Sequence, residues 1–118
     1  MKKDLICEMN ELLGQLRSLH WQTDSYAQHV AFERAYDAIA EHADAFVEVY
    51  QGKYGRIKIV SQPKLLNFDE DELVGFIDKH IHYFSQEFDF KDSDVDIMAI
   101  RDEIVAELNK LKYLLTLK

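Results

Sequence analysis

Near the start of the chain, Leu5, Ile6, Met9, Leu12, Leu13, Leu16 and Leu19 return every three or four residues, which is the spacing of one helical face. This predicts a first helix over about residues 3–22. Asp24 and Ser25 then supply start signals, with Ser25 and Gln28 spaced as a capping box, and a second helix follows from 25 to about 51, closed by Gly52 and Gly55. The stretch "GRIKIVSQPKLLNF" keeps no helical period and holds the only proline, Pro63; within it "RIKIV" reads as a short strand or as an extended segment laid over the other elements. Asn67 or Asp69 can cap a third helix over about 68–89, carrying Leu73, Val74, Ile77, Ile81, Phe84 and Phe88, with acidic residues in the first turn where the helix dipole favours them. Ser93 opens a fourth over about 94–117, striped by Ile97, Ile100, Ile104, Leu108, Leu111 and Leu115.

Two helical hairpins joined by one longer crossover, between the second and third helices, is the connectivity of a ferritin-like four-helix bundle. The predicted fold is therefore all-α, one domain over 1–118. Composition agrees: 47% of residues are hydrophobic, with four Gly and one Pro and no low-complexity stretch. A bundle of this kind hosts many functions, so the pattern gives a fold class only.

The net charge of −8, from 22 acidic against 14 basic residues, changes the picture more. It argues against DNA as a partner, because affinity for phosphate comes from clustered Lys and Arg, and Lys2 with Lys3 is too small a cluster for a nucleic-acid-binding arm. Cations are favoured instead. A lone cysteine, Cys7, allows no internal disulfide and reads as a small core residue. The opening "MKKDLICEMNELLG" breaks its apolar run with Glu8, Asn10 and Glu11, so neither a signal peptide nor a membrane span is expected, and the expected location is cytoplasmic.

Five residues carry ligand chemistry: His20 at the end of the first helix, and His29, Glu33, Asp44 and Glu48 on the second. The last four sit at offsets 0, 4, 15 and 19, which places them within an arc of about 100° on one helical face. Yet His29 and Asp44 lie roughly 22 Å apart along the axis, too far to hold the same metal ions. One helix therefore offers two half-sites. An antiparallel pairing of the second helix with its own copy, centred between Ala38 and Ile39, sets His29 opposite Glu48 and Glu33 opposite Asp44. A two-fold dimer would then assemble two equivalent centres. Ala31, Ala35, Ala38 and Ala45 would permit close approach of the two helices, although alanine is also simply a good helix former. The plain alternative is a surface helix laced with acidic and His pairs, in a structural dimer or scaffold that binds no metal. A site inside one bundle would need Glu three residues before a histidine on two helices. The residues found there are Arg17, Tyr26, Ile39, Ile77 and Lys79, none of them acidic. His80, His82 and Glu87 make a weaker cluster, since residues five apart do not stack on an α-helix.

The His20–Trp21 pair, followed by His29-x-x-x-Glu33 and then Asp44-x-x-x-Glu48, resembles the ferroxidase signature of Dps-type mini-ferritins over residues 16–50. The resemblance implies iron sites shared across a two-fold interface, with His20, His29 and Glu33 from one chain and Asp44 and Glu48 from its mate. It implies Trp21 beside the iron, and Asp92 and Asp96 lining a pore that admits it. Capping of the fourth helix by Asp94 and Asp96 is the ordinary reading of that acidic run. Two departures stand out. The interval from His20 to His29 is about three residues short of the family's spacing, which either tightens the corner or displaces His20. The connection after Gly52 leaves no room for the family's extra interface helix.

The function this implies is oxidation of ferrous iron by peroxide or dioxygen, for iron storage or detoxification and protection from oxidative stress, in a homo-oligomer built from two-fold dimers. Carboxylate and imidazole donors with open positions suit ferrous iron, and zinc can occupy the same ligands.

Overall fold

The computed structural model describes residues 4–118, so the Lys2–Lys3 pair and the predicted helix start at residue 3 lie outside the described residues. The Asp4 carboxylate accepts the Cys7 amide at 2.8 Å and so caps α1, Leu5–Gln22. Ser25 caps α2, Tyr26–Tyr54, by accepting the Gln28 amide at 3.2 Å. The predicted capping box is only half closed. The Gln28 side chain turns away from Ser25, accepting from the Thr23 hydroxyl at 2.7 Å and donating to Glu70 at 2.5 Å, so it ties the corner to the start of the third helical segment. Gly55 ends α2 with φ 92°, a conformation open to glycine because it has no Cβ.

No strand forms among the described residues. Residues 55–69 run extended, and "RIKIV" is mostly exposed, with its Ile57 amide bonded to a side chain. Gln51 accepts the Ile57 amide at 3.0 Å, and the Ser61 hydroxyl donates to Asp4 at 2.5 Å. Gln15 grips Leu66 from both sides, accepting its amide and donating to its carbonyl, each at 2.8 Å. Gly14 lets Leu65 settle against α1, since a Cβ there would stand 3.2 Å from the leucine side chain.

The predicted third helix is three pieces: a 3₁₀ turn Glu70–Glu72, α3 Leu73–His82, and a π turn Tyr83–Glu87. It starts at Asp69, whose amide donates to Glu72 at 2.8 Å, while Asn67 instead accepts from Gln22 at 3.1 Å. In the π turn the Phe88 amide reaches the Tyr83 carbonyl at 2.9 Å, five residues back. Arg101 from the last helix donates to the Phe84 carbonyl at 3.1 Å and lies over the Phe90 ring. That last helix, α4, spans Val95–Leu114 and begins after Asp94, not at Ser93.

The helices pack α1 on α2, α2 on α4 and α3 on α4. Their stripes close over Leu12, Leu16, Phe32, Ile39, Phe46, Ile77, Phe84, Ile97, Ile104 and Leu108, all fully buried, and Cys7 is buried as expected. No helix among the described residues is long and apolar enough to cross a membrane. Two departures from the predicted stripes matter. Val74 is exposed, and Phe76 and His80 are buried on the face it was assigned. On α1 the polar residues Glu8, Glu11 and Gln15 are also buried. The His80 ring meets Glu8 there, Nδ1 to Oε1 at 2.5 Å, while Lys79 reaches Glu11 at 3.6 Å.

Candidate metal centre

The corner between α1 and α2 is three residues long, Thr23 to Ser25, and it folds His20 back over His29. The two imidazole rings stack with centroids 3.9 Å apart. His20 Nδ1 donates to the His29 carbonyl at 2.9 Å, and His29 Nδ1 donates to the His20 carbonyl at 2.8 Å. A carbonyl oxygen can only accept, so both protons sit on Nδ1 and each Nε2 keeps its lone pair. Fixing the tautomer through the far nitrogen is how metal-binding histidines are usually held. Ligand atoms of His20, His29 and Glu33 all lie within 4.8 Å of one another. Both rings are half-buried, whereas Glu33 is exposed. The short corner therefore sets His20 against His29 and beside Glu33.

Asp44 and Glu48 do not join that cluster within one chain. They lie about three to five turns further along the same unbroken α2, both exposed, on the face that carries Glu33, Asp37 and Glu41. Trp21 is 70% exposed, with the Arg17 guanidinium 5.6 Å from its ring centre and 5.5 Å from that of Tyr36. Three of the four alanines proposed for close approach face the chain's own packing, while Ala45 is half-buried. Ala31 and Ala35 are buried, and Ala35 and Ala38 line a groove against Leu111 and Leu114 of α4.

The acidic run before α4 is organised around Lys53. Its ammonium meets Asp94 at 2.8 Å and Asp96 at 2.9 Å, and Asp94 also accepts from the Tyr54 hydroxyl at 2.5 Å and the Lys91 amide at 2.9 Å. Asp96 is thus paired with a lysine, and Asp92 is exposed. The Lys53 contact first, then the Tyr54 and Lys91 donors, hold the Asp94 carboxyl down at about 2 from an ordinary 3.8. A carboxyl lowered on folding stabilises the folded chain above its ordinary value, and that stabilisation fades as pH falls toward the lowered one. An Asp94→Asn chain is therefore expected to show a flatter loss of thermal stability between about pH 4 and pH 2 than wild type. Melting curves across that range would check it; parallel acid limbs would refute it.

His82 and Glu87, set aside in the sequence as five apart, meet at 3.5 Å. The π turn is the reason, because its wider coil brings residues five apart onto one side. His80 faces the other way, into the pair with Glu8, so the three residues form no common site. The exposed trio Asp69, Asp71 and Glu72 also has ligand atoms close together, but it is the acidic first turn of a helix, and Glu72 is occupied with the Asp69 amide.

Residues 20–115 match a family described as a family of unknown function, DUF5856, and the chain belongs to it. The matched span begins at His20 and includes all five candidate ligands. No curated protein and no solved structure matches the chain.

Proposed function

We propose that this chain oxidises ferrous iron at two-metal centres shared across a two-fold dimer, as a shortened ferritin-like protein of the Dps type. The observation that carries the reading is the reciprocal His20–His29 arrangement. It holds both imidazoles through Nδ1 and gathers ligand atoms of His20, His29 and Glu33 within 4.8 Å of one another, which is how metal-binding histidines are usually held. The exposed Asp44 and Glu48 supply the other half-site on the same helix face. The connection beside α1, held by Gln15, is consistent with a ferritin-like crossover between α2 and α3.

In the dimer, His20 and His29 would be terminal nitrogen donors, Glu33 and Asp44 would anchor one ion each, and Glu48 would bridge the two. Two ferrous ions held side by side can each give one electron to a single peroxide, which is then reduced to water without a free radical. Dioxygen is the other oxidant this arrangement would serve. Storage of the ferric product requires a closed cage, with Asp92 and Asp96 as candidate lining for its pores. The test is ferrous oxidation followed by ferric absorbance, first with peroxide and then in air, alongside an Asp44→Ala chain. We expect rapid oxidation in wild type and the protein-free rate in the variant. Equal rates in both would leave a helical dimer or scaffold with surface carboxylates.

A further inference from the structure

The outer face of α2 carries five exposed carboxylates in one arc: Glu33, Asp37, Glu41, Asp44 and Glu48. The basic residues of α2 are Arg34 and Lys53, apart from its histidines. Arg34 lines a groove against α4 together with Lys110, Asp37 and Glu41, so these two cations flank one edge of the face and leave its five carboxylates in excess, while Lys53 is held by Asp94 and Asp96. From α1, Arg17 covers Tyr36 at one edge of the face. Two copies of this face thus approach as like charges, on a chain whose net charge is already −8. The worst meeting is at the two-fold axis. Asp37 lies next to the symmetry point between Ala38 and Ile39, so the two copies of Asp37 would be only about 4.5 Å apart along the helix axes. Like charges meeting across such an axis disfavour association unless cations stand between the faces.

Yet the two halves of the face complement each other as ligands. The end with His20, His29 and Glu33 is rich in nitrogen donors and already gathered, while the end with Asp44 and Glu48 offers only oxygen and is incomplete alone. We propose that α2 is a metal-gated dimer face, on which a second copy of this chain docks antiparallel only once divalent cations occupy the half-sites. This rests on the shared-centre reading and adds regulation to it: metal is the glue of the pair as well as its substrate. By linkage, dimerisation would in turn tighten metal binding by the same factor.

The test uses the full chain in sedimentation runs over a range of concentrations, first in chelator and then with manganous ion or anaerobic ferrous ion. The expected result is the 13.9 kDa monomer in chelator and an even multiple of that mass in metal, reversed on rechelation. The change in apparent dimerisation constant should be on the order of a hundredfold, within the usual range of coupling between linked sites. Asp37 is not a ligand in this scheme. An Asp37→Asn chain should therefore dimerise in chelator at roughly tenfold lower concentration than wild type, because it loses the close pair at the axis while its ligands remain. A wild-type chain already paired in chelator, or an Asp37→Asn chain that matches wild type there, would overturn the gating. If a chain already paired in chelator oxidises iron once the chelator is removed, in a way that Asp44→Ala abolishes, the shared centre survives and the gating alone is wrong. A chain that stays monomeric in metal and oxidises nothing overturns both.

Discussion

Mixing a His29→Ala chain with a Glu48→Ala chain is expected to restore about one quarter of the wild-type iron-oxidation rate, although each variant alone falls to the protein-free rate. In the proposed dimer each shared centre would take its histidines from one chain and its Asp44–Glu48 pair from the other. A homodimer of either variant therefore spoils both of its centres. In a mixed dimer the two lesions fall together in one centre, and the second centre is whole. Random pairing makes about half of the dimers mixed, which gives the quarter. Refolding the two variants together and comparing rates per chain would measure it. A mixture that stays at the protein-free rate would mean that one chain supplies a whole site. The unbroken run of α2 from His29 to Glu48 argues against that outcome.

The second large effect is on stability. Removing the imidazole with His80→Leu should cost about 3 kcal/mol, because the Glu8 carboxylate stays buried and loses the donor that His80 provides. That corresponds to a fall in Tm on the order of 10 °C for a domain of this size. Replacing both, as Glu8→Leu with His80→Leu, should recover most of the loss, since an apolar pair of similar volume carries no desolvation cost. Burial, and next the charge of Glu8, push the neighbouring Tyr83 hydroxyl well above the ordinary tyrosine value, as a dry and negative neighbourhood would. Thermal melts of the two single variants and the double would decide it; a double variant as unstable as the sum of the singles would show that the pair matters for more than its charge.

Much of this was legible from spacing. Leu5 to Leu19 and Ile97 to Leu115 announce their helices, and the offsets of His29, Glu33, Asp44 and Glu48 already keep those four from meeting within one chain. What was illegible depends on neighbours. Glu8, Glu11 and Gln15 look like a solvent stripe on α1, but α3 and the extended connection lie over them. Their offsets of 0, 3 and 7 do mark a helical face, and such a polar face beside an apolar one was the available signal. Nothing local announces the π turn, since Tyr83 to Glu87 has no helix breaker, and so the His82–Glu87 contact was judged by α-helical geometry. The His20–His29 stack depends on backbone carbonyls, which no side-chain pattern displays.

The 29 unbroken residues of α2 act as a ruler. Distance and phase between its two half-sites are set by residue count alone, so in the proposed dimer the two centres would stand roughly 22 Å apart and each would finish its own electron transfers. Adding one residue between Glu33 and Asp44 would turn one half-site by about 100° against the other and silence both centres together. Adding seven would bring the faces nearly back into phase and only lengthen the dimer. Under that reading the number of residues between those two carboxylates is not free to drift.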